Sequence, residues 1–195
     1  EAYAVEPAAK PQAPRGTAAT RLAAGRPSGP RRAKPELVFP VSVEEAVALY
    51  AEGDAALVCG GTAHASRRER GGYPFARRLI RLTRIPELQM HSMDAVGLLQ
   101  AGAAVALETL HQDPRVRNGW PAIADAFEAV GATRIRRMIT VGGSVGPLIA
   151  GFDLPLALVA LRGRVNVAGP AGRRCVALQE LFEKRLGKGE IVIGI

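Results

Sequence analysis

The chain of 195 residues is 48% hydrophobic, enough to bury about 70% of its unfolded surface as one domain or as one domain of two small lobes. Its formal net charge of +8 and pI of about 10.3 invite a nucleic-acid reading, but with aromatic residues at only 5% stacking platforms for a single strand are scarce, and an anionic cofactor or an acidic partner accounts for the charge as well. Cys59 and Cys175 are the only cysteines and form no CxxC pattern, which argues against a zinc site or an iron–sulfur cluster on this chain; both read as small buried apolar residues.

Residues 1–35 are rich in Ala, Pro, Gly and Arg and nearly free of branched apolar side chains, so they cannot bury enough surface to fold alone. They read as an extended basic tail, either a strap that orders on a partner or a solvated leader. The rest of the positive excess gathers in Arg67, Arg68, Arg70, Arg77, Arg78, Arg81 and Arg84. No apolar run reaches the ~20 residues of a membrane span, and no signal-peptide pattern opens the chain. The cytoplasm is the expected compartment, with export alongside a partner as the alternative.

The folded part begins near Leu37. Ser42 and Glu45 make a capping box, followed by Ala46, Val47, Leu49 and Tyr50 at helical spacing, with Gly53 as the stop. Residues 55–59 read as a strand, Ile80 and Leu82 mark another, and residues 83–88 form a turn around Pro86. A second lobe starts near Gln89, with a strand over 97–104 and a short helix over 107–112 stopped by Asp113-Pro114. Pro121 suits the first position of the next helix, whose Ile123, Phe127 and Val130 share a face and which Gly131 closes. Asp153 can cap a helix running to Leu161. Gly169-Pro170-Ala171-Gly172 between two apolar runs signals a hairpin, residues 178–182 a helical turn, and residues 190–195 a final strand. The mixture of helices and strands argues a mixed α and β fold.

Two glycine pairs punctuate this order: Val58-Cys59-Gly60-Gly61-Thr62 and Thr140-Val141-Gly142-Gly143-Ser144. Glycines that take φ > 0 can expose successive backbone N–H groups as a nest for a phosphate, and each loop also carries a hydroxyl, Thr62 or Thr140. Most such pairs are plain tight turns. Two of them, each after an apolar run, suggest one ligand held between two loops. No Ser/His/Asp arrangement, paired carboxylates or metal-ligand spacing is present. Glu44 and Glu45 belong to a helix start, and His91 and His111 read as surface residues.

These loops, together with Pro40-Val41-Ser42-Val43-Glu44-Glu45-Ala46, Leu82-Thr83-Arg84-Ile85-Pro86-Glu87-Leu88 and Arg134-Ile135-Arg136-Arg137-Met138-Ile139-Thr140, resemble the FAD-binding subunit of molybdenum hydroxylases, the xanthine dehydrogenase and carbon monoxide dehydrogenase family. The resemblance runs from about Leu37 to Ile195. It implies an α+β, two-lobed FAD-binding fold of the vanillyl-alcohol oxidase and p-cresol methylhydroxylase type, with a small N-terminal α/β lobe over 36–88 and an antiparallel-sheet lobe over 89–195. The family's third, C-terminal lobe is not reached.

The resemblance also implies site roles. Val58, Cys59, Gly60, Gly61, Thr62, Ala63 and His64 would hold the pyrophosphate of FAD; Thr140, Val141, Gly142, Gly143 and Ser144 would lie by the pyrophosphate and flavin edge. Asp153 falls where the family keeps an aspartate near the ribose, a plain helix cap being the alternative, and Val192 would touch the ring. His64 either faces the pyrophosphate as a cation or is solvated. Three features depart from the family pattern: Ser144 for an asparagine, Ala63-His64-Ala65 for a hydroxyl or acidic residue followed by an aliphatic, and an apolar stretch over 148–152. The implied function is an electron-transfer subunit that bears FAD and no catalytic residue of its own. Its expected partners are a small subunit with 2Fe–2S clusters and a large subunit with the molybdopterin cofactor, without nucleic acid. A structural subunit of the same fold that has lost FAD is the second reading, motivated by the departures.

Overall fold

Three short parallel strands open the structure, a computed structural model in which residues 34–69, 76–147 and 152–195 are described. The expectations for the tail over 1–35, for Arg67, Arg68 and Arg70, and for the apolar stretch over 148–152 lie wholly or largely outside the described residues. Strand β1 (Glu36–Val38) is followed by helix α1 (Val43–Ala51), where Ser42 Oγ accepts the Glu45 N–H at 3.1 Å. The Glu45 carboxylate returns to the N–H of Val41 at 2.8 Å, so the reciprocal cap closes one residue before the cap position. Gly53, at φ 89, ends the helix in the left-handed region that favours glycine.

Strand β2 (Ala55–Val58), helix α2 (Thr62–Glu69) and strand β3 (Arg78–Arg81) complete a parallel sheet of order β1-β3-β2. Parallel strands need a crossover, and the helical segments supply it. The arginines near β3 have structural partners: Arg78 pairs with Glu36 and Glu52, and Arg84 lies 4.3 Å over the Phe39 ring. Two 3₁₀ turns, Leu82–Arg84 and Pro86–Gln89, bury Leu82, Ile85 and Leu88 in the core and lead into the antiparallel part.

There, β4 (His91–Met93) pairs with β5 (Leu99–Ala101), and the ladder continues beyond β5. The N–H groups of Gly102 and Ala104 donate to the carbonyls of Met90 and Leu88, while those of Ala101 and Ala103 donate on the other side to Ile195 and Ile193. That second side is the neighbourhood of β8 (Ile191–Gly194), which joins β6 (Arg164–Gly169) and β7 (Gly172–Ala177) in the order β7-β6-β8. The hairpin anticipated at 169–172 is present, with Gly169 opposite Gly172.

Between the strands run α3 (Leu107–Gln112), α4 (Pro114–Gly119), α5 (Pro121–Ala129), α6 (Thr133–Arg136), α7 (Val141–Val145), α8 (Asp153–Ala160) and, after β7, α9 (Leu178–Lys184). Asp113-Pro114 does stop α3, and it also starts α4: the Asp113 carboxylate caps the N–H of Arg115 at 2.9 Å with Pro114 at the first helical position. Asp153 does not cap α8; it is the first helical residue, after Phe152. One hydrophobic cluster joins the parallel sheet, the helices around the fully buried Phe127 and the antiparallel sheet, and residues 34–195 form a single compact unit. Among the described residues no helix is long and apolar enough to cross a membrane, and no group of His, Cys, Asp or Glu could hold a metal ion.

Candidate functional site

Between the two glycine loops lies a cavity of about 420 Å³, within the range of small-molecule sites. Ten of the residues singled out in the sequence line it: Cys59, Gly60, Gly61, Thr62, Ala63, His64, Thr140, Gly142, Gly143 and Val192. Four stay outside its lining. Val58 is in β2, paired with Arg81 of β3. Val141 is fully buried. Ser144 is buried, with its hydroxyl donating to the Thr140 carbonyl at 3.1 Å, and Asp153 is exposed at the start of α8.

The first loop behaves as a glycine loop should. Gly61 sits at φ 80, and among the described residues no backbone carbonyl accepts from the N–H groups of Gly61, Thr62 or Ala63. Unsatisfied donors at the head of a helix, here α2, suit an anion. Gly60 is required for a different reason. A Cβ there would lie 1.4 Å from the carbonyl oxygen of Met138, so the first loop touches the backbone that leads into the second.

The second loop corrects the expectation of a nest. Neither Gly142 nor Gly143 has positive φ; both belong to α7, and its first donors are already used. The N–H groups of Val141 and Gly142 donate to the carbonyls of Val105 and Ala103, that of Ser144 to the Thr140 carbonyl, and that of Gly143 to Thr140 Oγ1 at 3.2 Å. Gly142 is needed for close approach, since a Cβ there would fall 2.6 Å from that of Ala103. This loop is therefore a smooth wall rather than a donor cradle.

His64 is half-buried, and its Nε2 lies 2.7 Å from the Leu57 carbonyl. A carbonyl only accepts, so Nε2 carries the proton. The imidazole is thus tied to the end of β2. The Cys59 thiol shares the cavity wall with Thr140; burial pushes its pKa up to about 11, against the opposing hydrogen bond from Thr140. Cys59 is half-buried and Cys175 exposed, so neither is the small buried residue expected of both. His91 and His111 are half-buried rather than surface residues: His91 Nε2 lies 3.7 Å from the Asp113 carboxylate, and buried Nδ1 of His111 has no hydrogen-bond partner among the described residues.

The sequence reading missed other lining residues: Tyr50 of α1, Ala103, and Leu186, Gly187 and Glu190 between α9 and β8. The signal was available, because Gly187-Lys188-Gly189 precedes the apolar run of β8 just as the other glycine pairs adjoin theirs. It also missed the support behind the second loop. Buried Arg136 and Glu108 pair at 2.7 Å; Gln112 donates to the same carboxylate at 2.8 Å, and Arg136 also reaches the Gly131 carbonyl and the Thr133 hydroxyl.

Residues 33–195 match the family described as the FAD binding domain in molybdopterin dehydrogenase. The chain is 30% identical over 152 residues to the carbon monoxide dehydrogenase medium chain of Hydrogenophaga pseudoflava, covering 73% of this chain and 50% of that protein. It is 30% identical over 146 residues to the nicotine 6-hydroxylase medium subunit of Paenarthrobacter nicotinovorans, again covering 73% of this chain and 50% of that one. Among solved structures, quinoline 2-oxidoreductase from Pseudomonas putida 86 superimposes with a TM-score of 0.75 at 26% identity, over 83% of this chain and 58% of that one. The chain thus spans about half the length of the relatives it matches. The α+β, two-lobed FAD-binding fold anticipated from the motifs is the fold observed.

Proposed function

Since the chain belongs to the family of FAD-binding domains of molybdopterin dehydrogenases, we propose that it holds FAD in the cavity between its two glycine loops and serves as the electron-transfer subunit of a molybdenum hydroxylase-type complex. The observation that carries this reading is the first loop, where the N–H groups of Gly61, Thr62 and Ala63 stand without a carbonyl partner among the described residues, on a cavity with apolar lining from Leu57, Leu82, Leu186 and Val192. Backbone donors together with apolar lining match a diphosphate joined to an aromatic ring.

In this reading the head of α2 binds the diphosphate oxygens through backbone N–H groups. Gly142 and Gly143 leave their part of the lining without side chains, so a flat group can approach the backbone closely. Val192 and Leu186 exclude water from that approach. FAD supplies, when bound, the electron-carrying chemistry that no side chain here offers. The chain's own task is binding and orientation. We further propose that it works beside a small subunit carrying 2Fe–2S clusters and a large subunit carrying the molybdopterin cofactor, delivering electrons from them to an external acceptor.

The purified protein tests the reading directly. A flavin absorption spectrum at one FAD per chain, or saturable quenching when FAD is titrated into cofactor-free protein, is the expected result. A folded protein that neither retains nor rebinds FAD overturns it in favour of a structural subunit of the same fold.

A further inference from the structure

One carboxylate lining the cavity, that of Glu190, accepts three hydrogen bonds. Glu190 Oε1 accepts from Arg174 Nε at 2.8 Å, and Oε2 accepts from Arg174 Nη2 at 2.8 Å and from the Gly187 N–H at 2.7 Å. Its own N–H donates back to the Gly187 carbonyl at 3.1 Å, so residues 187–190 form a turn closed by both backbone and side chain. Arg174 holds the carboxyl below the usual carboxylate range. We propose that the Arg174–Glu190 pair is a latch that positions the turn between α9 and β8 as a wall of the cavity, making Glu190 a positioning residue for flavin binding. The inference rests on the flavin reading for its ligand, not for its geometry.

Three further observations separate the latch from an ordinary surface ion pair, which contributes little. The turn is strained at its start: Arg185 has φ 60 and ψ 173, a region occupied almost only by glycine, where a residue stays only if its surroundings hold it. The turn is also seated tightly, since a Cβ on Gly189 would come within 3.1 Å of Ala51 in α1 and of Pro170 in the hairpin turn. Finally, Leu186, Gly187 and Glu190 all line the cavity, so a displaced turn changes the cavity rather than a remote surface. The fork of Arg174 fixes direction as well as charge, because a bidentate guanidinium–carboxylate pair admits one planar arrangement.

Glu190→Gln, Arg174→Met and Arg174→Lys variants of the 195-residue chain, with the double Arg174→Met/Glu190→Gln, provide the test. Hydrogen exchange of the amides of residues 186–190 is read on cofactor-free protein, FAD affinity by fluorescence quenching, and stability by thermal unfolding. Glu190→Gln and Arg174→Met are expected to speed exchange at Gly187 and to raise the FAD dissociation constant roughly tenfold, the scale of one charge-assisted hydrogen bond. The melting temperature should move little. The double variant is expected to be no worse than either single, as for two residues acting as one unit, and Arg174→Lys to recover only part, since it keeps the charge and loses the fork. Native exchange in Glu190→Gln, or FAD affinity that falls only in step with lost stability, overturns the latch. Wild-type protein that fails to bind FAD overturns the flavin reading instead, and the exchange measurement then decides the latch alone.

Discussion

Gly60 and Gly143 line the same cavity under opposite constraints. A Cβ on Gly60 would overlap the Met138 carbonyl oxygen at 1.4 Å, backbone that cannot rotate away, whereas one on Gly143 would meet only Thr140 Oγ1 at 3.1 Å. Gly60→Ala is therefore expected to destabilise the protein by about 1–3 kcal/mol, the usual scale of overpacking, and to weaken FAD binding with it. Gly143→Ala should hold or slightly raise stability, because alanine suits a helix better than glycine by about 1 kcal/mol, while its methyl still narrows the cavity. Chemical denaturation beside FAD titration distinguishes the two, and equal losses of stability in both variants contradict the packing described. The sequence showed that these glycines mattered and misread why for the second pair. Positive φ and close approach both demand glycine, and only the neighbouring chain tells them apart. The cysteines make the same point: nothing in their flanking residues separates Cys59, whose thiol burial pushes up to about 11, from exposed Cys175. An alkylating reagent at pH 8 is expected to label Cys175 first and Cys59 slowly, as peptide mapping by mass spectrometry can determine.

At the scale of elements, helices with a cap or proline signal, such as α1 and α5, were legible, whereas α2 and α7 were read as loops, α6 was not foreseen, and its bond to α3 was not legible. The capping box before α1, Pro121 at the head of α5 and the glycine after it are local signals, carried by residues that act on their own backbone. The Arg136–Glu108 pair spans 28 positions, and a lone glutamate in one amphipathic helix gives no sign of its distant arginine. Yet this pair pins α6 to α3, and α6 leads to the Met138 carbonyl on which Gly60 rests. Arg136→Met leaves the Glu108 carboxylate buried without its partner, so it should destabilise more than the double Glu108→Gln/Arg136→Met. The pH dependence has a definite sign. Arg136 holds the Glu108 carboxyl below its ordinary value of 4.5, so the folded state binds its proton less readily than the unfolded chain. The resulting stability is fully present above about pH 5 and is lost as pH falls through the depressed folded value. Thermal unfolding between pH 7 and pH 3 should show an acid loss in wild type that is smaller in the double variant; identical acid slopes count against the pair.

At the scale of the molecule, the resemblance implied an α/β lobe and an antiparallel-sheet lobe, but not the way the parallel and antiparallel sheets are joined, because the joining residues are ordinary surface charges in the sequence. Arg173 of β7 reaches Glu87 in the second 3₁₀ turn and Glu44 in α1, the latter at 2.8 Å. One guanidinium thus ties the antiparallel hairpin to the parallel-sheet part, and both regions line the cavity, the one through Gly60 to His64 and the sheet of the other through Val192, with Glu190 just before it. The Arg173 hydrogen bond holds the Glu44 carboxyl below its usual range. Exposed pairs contribute little to overall stability, so the expected signature of Arg173→Ala is not unfolding. It is weaker FAD binding with an unchanged far-UV spectrum, and a larger loss than either Glu44→Ala or Glu87→Ala, each of which leaves Arg173 one partner. Salt supplies the control. At about 1 M the screening length shrinks to ~3 Å, so the gap in affinity between wild type and Arg173→Ala should narrow as salt rises. A gap that persists unchanged at high salt would assign the loss to the packing of the arginine's stem, leaving the charges with no part in holding the walls together.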